Sequence, residues 1–488
     1  MQHPVQLLGC LAGTVAGASA AWALRRHTGR PVGFVLRSAA ALVAAIFALK
    51  LLPLFLPPEG FVGPDWLYPL WALWRPATAP GWIVLALTLS VPLVFGKGRL
   101  RLALVPVLWI ALALTNGGLS GLSEPFRRDA DYYADVARFQ GLSDIWSHYE
   151  ERQETLSLHG QTHPPGAVTL LWLLERVLGG GLTRLCLAVV LLSAAALLPV
   201  YTLARACLDR PGAEAVLLLW ATTPAVALYG ATCMDMIFAL PLVGAAAAFA
   251  WGVRAQPGAM GTTAIWGCLS GLALGLGSLF TFSSALLAVT FLLTAALVSR
   301  RQPGERPRLT VLLATTGVTC VALLLSMRLV GFDWLACLDR AQHLDEKLFP
   351  ATLSPSYWLL TRVKGVLDVL ILAGPAAAAL WLGGLRRRAF ARPAEREEET
   401  AVTPRLLGVA LSRAAAMAVL AFLLLGVYKI GETGRILLFL IPLVPLLAVA
   451  RLQRAWPTRT SWHRGVTAVA LLNLAQAFLF EMLLDTRW

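Results

Sequence analysis

The chain has 488 residues, of which 58% are hydrophobic and 14% are charged, and its mean hydropathy is +0.69. Soluble domains carry about 25% charged residues, and a soluble fold of this length could not bury so much apolar surface, so the composition excludes a soluble globular protein. The net charge of +14 comes from clustered arginines and lysines, which is typical of cytoplasmic loops and, without a basic stripe on an amphipathic helix, argues against nucleic-acid binding.

Hydrophobic segments recur along the whole chain. A transmembrane helix needs about 20 predominantly apolar residues, and about fourteen segments approach that length. The sequence therefore predicts an all-α, polytopic integral membrane protein with a single transmembrane domain over residues 1–488. The candidate spans are residues 5–24, 31–56, 81–95, 100–119, 184–204, 213–232, 236–253, 262–280, 283–298, 309–330, 366–385, 406–428, 436–450 and 465–484.

The charged loops predict the orientation of these spans. The first segment lacks a basic start and is followed by three arginines, so we expect an uncleaved span with its N-terminus outside. Every Arg-rich loop then falls on the cytoplasmic side, provided that residues 166–178 do not cross. This apolar segment has only 13 residues, which is too short for a comfortable span, and we expect a short interfacial or re-entrant helix. The cations used are Arg25, Arg26, Arg30, Lys97, Arg99, Arg101, Arg205, Arg210, Arg254, Arg300, Arg301, Arg306, Arg308, Arg386, Arg387, Arg388, Arg451 and Arg454.

One predicted outer loop, residues 120–165, differs in composition from the rest of the chain. It combines eight acidic residues with three histidines and several aromatic residues. Carboxylates can act as general bases, and aromatic faces stack on sugar rings, although a solvated loop with helix-capping acids has the same composition. We expect residues 1–119 to form extra N-terminal spans, residues 120–165 a catalytic outer loop, and residues 166–488 the remaining helices.

Three short motifs follow one another on the predicted outer side. The first, RRDADYYA at residues 127–134, comes just after the end of a span. The second, THPPG at residues 162–166, opens the short apolar segment, where paired prolines can start a helix sharply. The third, GETGR at residues 431–435, precedes an apolar segment that continues to Pro442.

In their order and spacing, these motifs resemble those of the GT-C superfamily, the polytopic glycosyltransferases that include protein O-mannosyltransferases and the aminoarabinose transferase of lipid A. Members carry a catalytic Asp in an early external loop, commonly as Asp, Glu and then Tyr, followed by a Lys/His-Pro-Pro motif and often by an Asp at a later external turn. The resemblance covers residues 129–442. About four spans precede the loop here, whereas better-known members have one, which leaves the subfamily open.

The resemblance implies an inverting transfer of a sugar from a polyprenyl-phosphate donor to an acceptor. In the acidic motif the familiar Asp-Glu pair reads Asp129-Ala130, so the second acid, if one is needed, is Asp131. Either Asp129 or Asp131 would accept the proton of the attacking hydroxyl or amine. Tyr133, in the same motif, is a further candidate for the site.

The leaving lipid phosphate calls for cations or hydrogen-bond donors close to it. Arg435, Lys429 and His163 are the candidate donor-phosphate ligands, while Asp235 stands where relatives have their later external Asp. Glu432 is expected to pair with Arg435 in the free state. For His163 the alternative is an ordinary polar residue before the two prolines, and for Arg435 it is an interfacial anchor.

Other readings of the same sequence stay open. A secondary transporter would need ionisable residues near the membrane midplane, and the few candidates, Arg413, Asp368 and Asn473, lie near span ends or stand isolated in sequence. An O-antigen-ligase- or polymerase-like enzyme would use lipid-linked sugars without an essential Asp.

The expected location is the inner (plasma) membrane, with the active site on the extracytoplasmic side. The expected partners are a polyprenyl-phosphate sugar donor, membrane lipids and an acceptor that is a glycan, lipid or protein, but no nucleic acid. No cofactor is required by the sequence. The seven cysteines show no metal-binding spacing, although the clustered acids leave a divalent cation open.

Overall fold

The structure is a computed structural model that describes residues 37, 41, 100–115, 118–129, 131–256, 258–348, 355–385, 402–426, 433–456 and 458–483. Every regular element in these residues is helical, as predicted. The helices are α1 Leu100–Thr115, α2 Leu119–Arg127, α3 Tyr133–Val136, α4 Leu142–Arg152, α5 Leu158–Thr162, α6 Gly166–Leu178, α7 Leu182–Ala195, α8 Leu197–Cys207, α9 Arg210–Thr222, α10 Pro224–Tyr229, α11 Asp235–Val253, α12 Met260–Ser278, α13 Ser284–Arg301, α14 Arg306–Ser326, α15 Trp334–Leu348, α16 Pro355–Leu372, α17 Pro375–Leu385, α18 Pro404–Leu424, α19 Thr433–Ile436, α20 Leu443–Ala455 and α21 Arg459–Leu483.

Several helices are long and apolar enough to cross a membrane, which agrees with a polytopic membrane protein. Six helical segments of the described residues meet this condition, one of which joins α7 and α8, and two bent pairs of helices would add two more if each pair forms one span. The predicted spans at residues 5–24, 31–56 and 81–95 lie outside the described residues, so the predicted total of about fourteen stays a prediction. The six spans are Leu182–Cys207, Asp235–Val253, Met260–Ser278, Ser284–Arg301, Pro303–Val330 and Pro404–Leu424.

Loops rich in arginine meet at one end of the bundle. The Arg254 guanidinium donates a hydrogen bond to the carbonyl oxygen of Ala206, over 3.3 Å. The buried Arg308 guanidinium donates to the carbonyl of Val253 and forms an ion pair with Glu305, both over 2.6 Å. Three loops that the charge pattern assigns to one side of the membrane are therefore in contact with one another.

The opposite end of the bundle holds residues 131–165. The backbone N–H of Gly166 donates to the carbonyl of Leu279, over 2.8 Å, in the turn between α12 and α13. The Trp334 indole donates to the carbonyl of Ser278, also over 2.8 Å, and brings the amphipathic helix α15 to the same turn. Loops that connect different pairs of spans therefore meet at this end of the bundle. This is expected when consecutive spans cross the membrane in alternating directions.

The short segment at residues 166–178 is a helix with the predicted bounds. Its 13 residues rise about 20 Å, less than the hydrocarbon thickness of a bilayer, and it is not among the helices that could cross. The buried face of α6 begins at Gly166, where a Cβ atom would collide with the Leu279 carbonyl oxygen, so the helix start packs directly against another backbone. The helix ends at Gly179, which has a φ of 71°.

The spans predicted at residues 213–232, 366–385 and 436–450 are corrected by the structure, since none is a continuous helix. Residues 366–385 do not form a continuous helix, because the chain bends by 110° between Leu372 and Pro375. Gly374 adopts a φ of 83°, which an L side chain rarely adopts, and Pro375 has no N–H to continue the hydrogen bonding of the first helix. The result is a broken helix pair, α16 and α17, inside the bundle.

The topology makes a direct prediction for chemical labelling. In a cysteine-free background, Ser143→Cys and Gly304→Cys should be modified from opposite sides of the membrane by an impermeant maleimide. Both positions are exposed, on α4 and in the turn before α14, at opposite ends of the bundle. Modification of both from the same side of sealed vesicles would contradict the predicted topology.

Candidate active site

Four separate segments bring charged and polar side chains together at the end of the bundle that holds residues 131–165. Asp131 comes from the turn before α3, His163 from the end of α5, Asp235 from the start of α11, and Arg435 from α19. The protonation of Asp131 and of His163 responds to the charges of both Asp235 and Arg435. Residues that are distant in sequence therefore form one electrostatic cluster.

Asp131, and not Asp129, is the acid of the motif that lies in this cluster. Its Oδ1 accepts a hydrogen bond from the Tyr133 backbone N–H, over 3.3 Å, which fixes the carboxylate in the turn. Burial raises the pKa of Asp131 to about 7, while Arg435 opposes and Asp235 reinforces this change. Asp129 is exposed at the preceding turn. A carboxyl group with a pKa near neutrality is suited to accept and release a proton.

Arg435 lies buried against Asp235, with only 6% of its surface exposed. Its Nε lies 3.6 Å from Asp235 Oδ2, and the same carboxylate oxygen accepts a hydrogen bond from the Cys233 thiol, over 2.8 Å. Asp235 is thus an acid that the structure brings to Arg435. Glu432, which was expected to pair with Arg435, and Lys429, a candidate phosphate ligand, lie outside the described residues.

Aromatic rings form a wall beside these charges. The buried Tyr132 ring stacks on His159, with 5.3 Å between ring centroids, and meets His163 edge-on at 5.6 Å. Phe238, one turn along α11, completes the wall at 6.0 Å from Tyr132. Tyr133 points elsewhere, because its hydroxyl donates to Glu175 Oε1 over 3.2 Å. Of the two adjacent tyrosines, Tyr132 rather than the predicted Tyr133 lines the cluster.

The two histidines of this wall are uncharged at neutral pH. Burial lowers the pKa of His163 to about 4, and burial together with the nearby Arg435 charge lowers the pKa of His159. His163 was expected to be a phosphate ligand. As a neutral imidazole it can donate one hydrogen bond to an anion but adds no positive charge, so Arg435 is the cation of the described site.

A buried carboxylate holds the histidine-bearing segment in place. Asp135, fully buried on α3, accepts hydrogen bonds from the backbone N–H and the hydroxyl of Ser157, over 2.8 and 2.6 Å. The Ser157 hydroxyl in turn accepts from the Gly160 N–H and caps α5. The acidic motif and the histidine motif are therefore fixed to each other by a direct connection between α3 and α5.

Sequence reasoning overlooked Tyr132, His159 and Cys233 as members of the site. A signal existed for His159, because it precedes His163 by four residues, a spacing that places two side chains on one face of a helix. No comparable signal distinguishes Tyr132 from Tyr133, since neighbouring residues of an irregular turn point in directions that only the packed structure defines.

A metal-binding arrangement does not emerge from the described part of the chain, where no three His, Cys, Asp or Glu side chains are grouped to hold an ion. Asp131 and Asp235 are two carboxylates of the same cluster, since the charge of Asp235 raises the pKa of Asp131. The Arg435 guanidinium, however, already lies 3.6 Å from Asp235. Binding of a divalent cation by the clustered acids stays a prediction from the sequence.

Comparison with protein families matches residues 162–327 to the family described as dolichyl-phosphate-mannose-protein mannosyltransferase. The matched region begins at the THPPG motif and ends with α14. It covers about a third of the chain. A sequence comparison with curated proteins finds no match.

Comparison with solved structures finds the oligosaccharyltransferase of Archaeoglobus fulgidus. Its complex with zinc and sulfate aligns with a TM-score of 0.52 at 15% identity, covering 79% of this chain and 53% of that chain. Its complex with an inhibitory peptide and a dolichol-phosphate aligns with a TM-score of 0.50 at 12% identity, covering 78% and 55%. ArnT from Cupriavidus metallidurans, bound to undecaprenyl phosphate, gives a TM-score of 0.44 at 17% identity, covering 79% and 62%. The chain thus spans little more than half the length of the oligosaccharyltransferase, and the predicted GT-C-like fold is confirmed.

Proposed function

We propose that this chain, which has the GT-C fold of polytopic membrane glycosyltransferases, transfers a sugar from a polyprenyl-phosphate donor to an acceptor with inversion at the anomeric carbon. The observation that carries the proposal is the joining of Asp131 to Asp235, His163 and Arg435 in one partly buried electrostatic cluster. A base and a phosphate-binding cation at one end of a membrane bundle suit a reaction between a lipid-phosphate sugar and an acceptor outside the hydrocarbon layer.

In the proposed reaction Asp131 is the general base. Its carboxylate accepts the proton of the acceptor hydroxyl or amine while the acceptor oxygen or nitrogen forms a bond to the sugar C1 atom. The bond between C1 and the phosphate oxygen breaks on the opposite face, so the configuration at C1 is inverted. The pKa of about 7 supports this role, because about half of such a group is ionised at neutral pH and its carboxylate is basic enough to hold the proton.

Arg435 is the proposed ligand of the leaving phosphate. Charge builds on the phosphate oxygens as the C1 bond breaks, and a guanidinium can give two parallel hydrogen bonds to them. In the free protein its charge is balanced by Asp235, over 3.6 Å. The donor phosphate would bind Arg435 either beside Asp235 or in its place. His163, neutral at this pH, would add a hydrogen bond.

The comparisons support the donor class. The family that matches residues 162–327 is described as dolichyl-phosphate-mannose-protein mannosyltransferase, and the archaeal oligosaccharyltransferase has been solved with a dolichol-phosphate. A long polyprenyl chain could lie among the apolar helices while its phosphate reaches the charged end of the bundle. The acceptor, the sugar and the extracytoplasmic position in the inner membrane stay part of the proposal.

The proposed function is tested by following the lipid product. Membranes that contain the full-length protein should release free polyprenyl phosphate from polyprenyl-phosphate sugars extracted from the source cells, as measured by liquid chromatography and mass spectrometry. Membranes with an Asp131→Asn variant at equal abundance serve as the control. Equal release from the two preparations would contradict the proposed reaction.

The pH dependence of transfer provides a second measurement. Since Asp131 must be ionised to act as a base, kcat/KM should fall about tenfold per pH unit below an apparent pKa of about 7. Asp235→Asn removes a negative charge that raises the pKa of Asp131, so its acidic limb should move to lower pH. A profile that stays flat from pH 5 to 8 would exclude Asp131 as the base of a rate-determining step.

A secondary transporter is favoured by one specific observation, the helix break between α16 and α17. Broken helices inside a bundle line the substrate sites of many transporters. Asp368 and Asn473, which the sequence left isolated, are both fully buried, and Asn473 lies against the break at Gly374. Release of polyprenyl phosphate that depends on Asp131 would favour the transferase, because transport leaves the donor intact.

A further inference from the structure

The histidine motif ends in two prolines that leave carbonyl groups of α5 without their usual donors. In an α-helix, the carbonyl of each residue accepts a hydrogen bond from the N–H four residues later. For the carbonyls of Gly160 and Gln161, these later residues are Pro164 and Pro165, which have no N–H. The two carbonyls at the end of α5 therefore need donors from elsewhere, since an unpaired carbonyl in the interior of a protein is costly.

Two side chains at the end of α4 supply these donors. The Tyr149 hydroxyl donates to the Gly160 carbonyl over 3.0 Å. The Gln153 side-chain amide donates from Nε2 to the Gln161 carbonyl over 2.9 Å. Both side chains are fully buried, and they are four residues apart, which places them on one face of the last turn of α4. Each of the two prolines thus has a replacement donor on that face.

The Tyr149 hydroxyl also reaches the backbone of His163. Its oxygen lies 3.2 Å from the His163 carbonyl oxygen, so the single hydroxyl proton is shared between this carbonyl and that of Gly160. His163 has an extended backbone, with a φ of −134° and a ψ of 159°, as expected for a residue before proline. Tyr149 therefore holds the backbone at the residue whose imidazole belongs to the electrostatic cluster.

Tyr149 lies behind the candidate active site and contacts it through this backbone. Its ring stacks on Phe139, with 5.9 Å between ring centroids. The rings that meet the His163 imidazole are Tyr132, at 5.6 Å between centroids, and Phe238, at 6.3 Å. An effect of the Tyr149 hydroxyl on a bound donor would thus be transmitted through the histidine motif.

We propose that Tyr149 is a positioning residue for the transfer reaction, and that its hydroxyl fixes the backbone of the histidine motif so that the His163 imidazole meets the donor phosphate. The catalytic part of this inference rests on the proposed function, whereas the hydrogen bonds to the motif do not. Gln153 has the parallel role for the second proline, but its Nε2 also donates to the Cys337 carbonyl of α15, over 3.2 Å. Tyr149→Phe is therefore the cleaner variant, because it removes only the hydroxyl and keeps the ring that packs on Phe139.

The first test is amide hydrogen exchange of the purified full-length protein in lipid nanodiscs, followed by mass spectrometry. In Tyr149→Phe, exchange in peptides that cover residues 158–163 should be about three- to tenfold faster than in the wild type, because a hydrogen bond that opposes local opening is lost. Tyr133→Phe is the matched control, since it removes a tyrosine hydroxyl that is bonded to Glu175 and should leave exchange of these residues unchanged. Unchanged exchange of residues 158–163 in Tyr149→Phe, or equally faster exchange throughout the bundle, would overturn the proposal.

The second test asks whether the hydroxyl acts through His163. With polyprenyl-phosphate sugars extracted from the source cells, Tyr149→Phe should raise the donor KM by about three- to tenfold. In a His163→Ala background the same substitution should leave the KM unchanged, because the imidazole that it positions is absent. A similar rise in both backgrounds would indicate a general packing effect and would contradict the proposed role. If the wild type releases no polyprenyl phosphate, the proposed function fails, and the exchange measurement still decides whether Tyr149 fixes the histidine motif.

Discussion

Asp131→Asn is expected to lower the rate of sugar transfer by about 10²–10⁴-fold, the usual cost of removing a general base. The amide keeps the size of the side chain and can still accept the hydrogen bond from the Tyr133 N–H, but it cannot take up a proton. The measurement is single-turnover transfer with saturating donor. Asp129→Asn, at the exposed neighbouring turn, is the matched control and should keep activity within about twofold of the wild type.

The stability of the Asp131→Asn variant follows from the sign of the pKa change. Because folding raises the pKa of Asp131 from 3.8 to about 7, the folded state binds more protons than the unfolded state between these values. The contribution of Asp131 to stability therefore falls as the pH rises through this range. Asn has no charge to bury, so at pH 8 the Tm of the variant should equal or exceed that of the wild type. Loss of activity together with a lower Tm would instead indicate damage to the fold.

The sequence predicted the features that depend on local length, apolarity and charge. The segment at residues 166–178 is a helix with the predicted bounds, because its length and its flanking Pro165 and Gly179 define it locally. The spans predicted at 236–253 and 262–280 agree with α11 and α12 to within two residues at each end. The contacts of Arg254 and Arg308 agree with the charge pattern, which assigns their loops to one side of the membrane.

Features that depend on tertiary packing were not predictable in the same way. A Gly-Pro step inside an apolar segment is compatible with a kinked or a broken helix, and the 110° bend at Gly374 is set by the helices around it. The choice between Asp129 and Asp131 depends on burial under segments that lie far away in sequence. The same is true of Asp235, which reaches Arg435 across 200 residues.

Arg435 is the second residue for which a large effect is expected. A hydrogen bond to a charged group contributes about 1.5–3 kcal/mol, so Arg435→Ala should lower kcat/KM for the donor by about ten- to a hundredfold. Arg435→Lys keeps the charge but not the planar pair of donors, and its loss should be smaller. Arg340→Ala, which removes an exposed arginine from helix α15 at the same end of the bundle, is the matched control and should change little.

The Arg435 variants also change the charge around the base, which distinguishes phosphate binding from simple anchoring at the membrane surface. Arg435 lowers the pKa of Asp131, so Arg435→Ala should move the acidic limb of the pH profile upward, whereas Arg435→Lys should move it less. Removal of this buried cation also leaves Asp235 uncompensated and is expected to destabilise the fold. The double variant Arg435→Ala/Asp235→Asn removes both charges and should recover Tm without recovering transfer. Recovery of transfer together with Tm would mean that Arg435 only supports the structure and does not bind the donor phosphate.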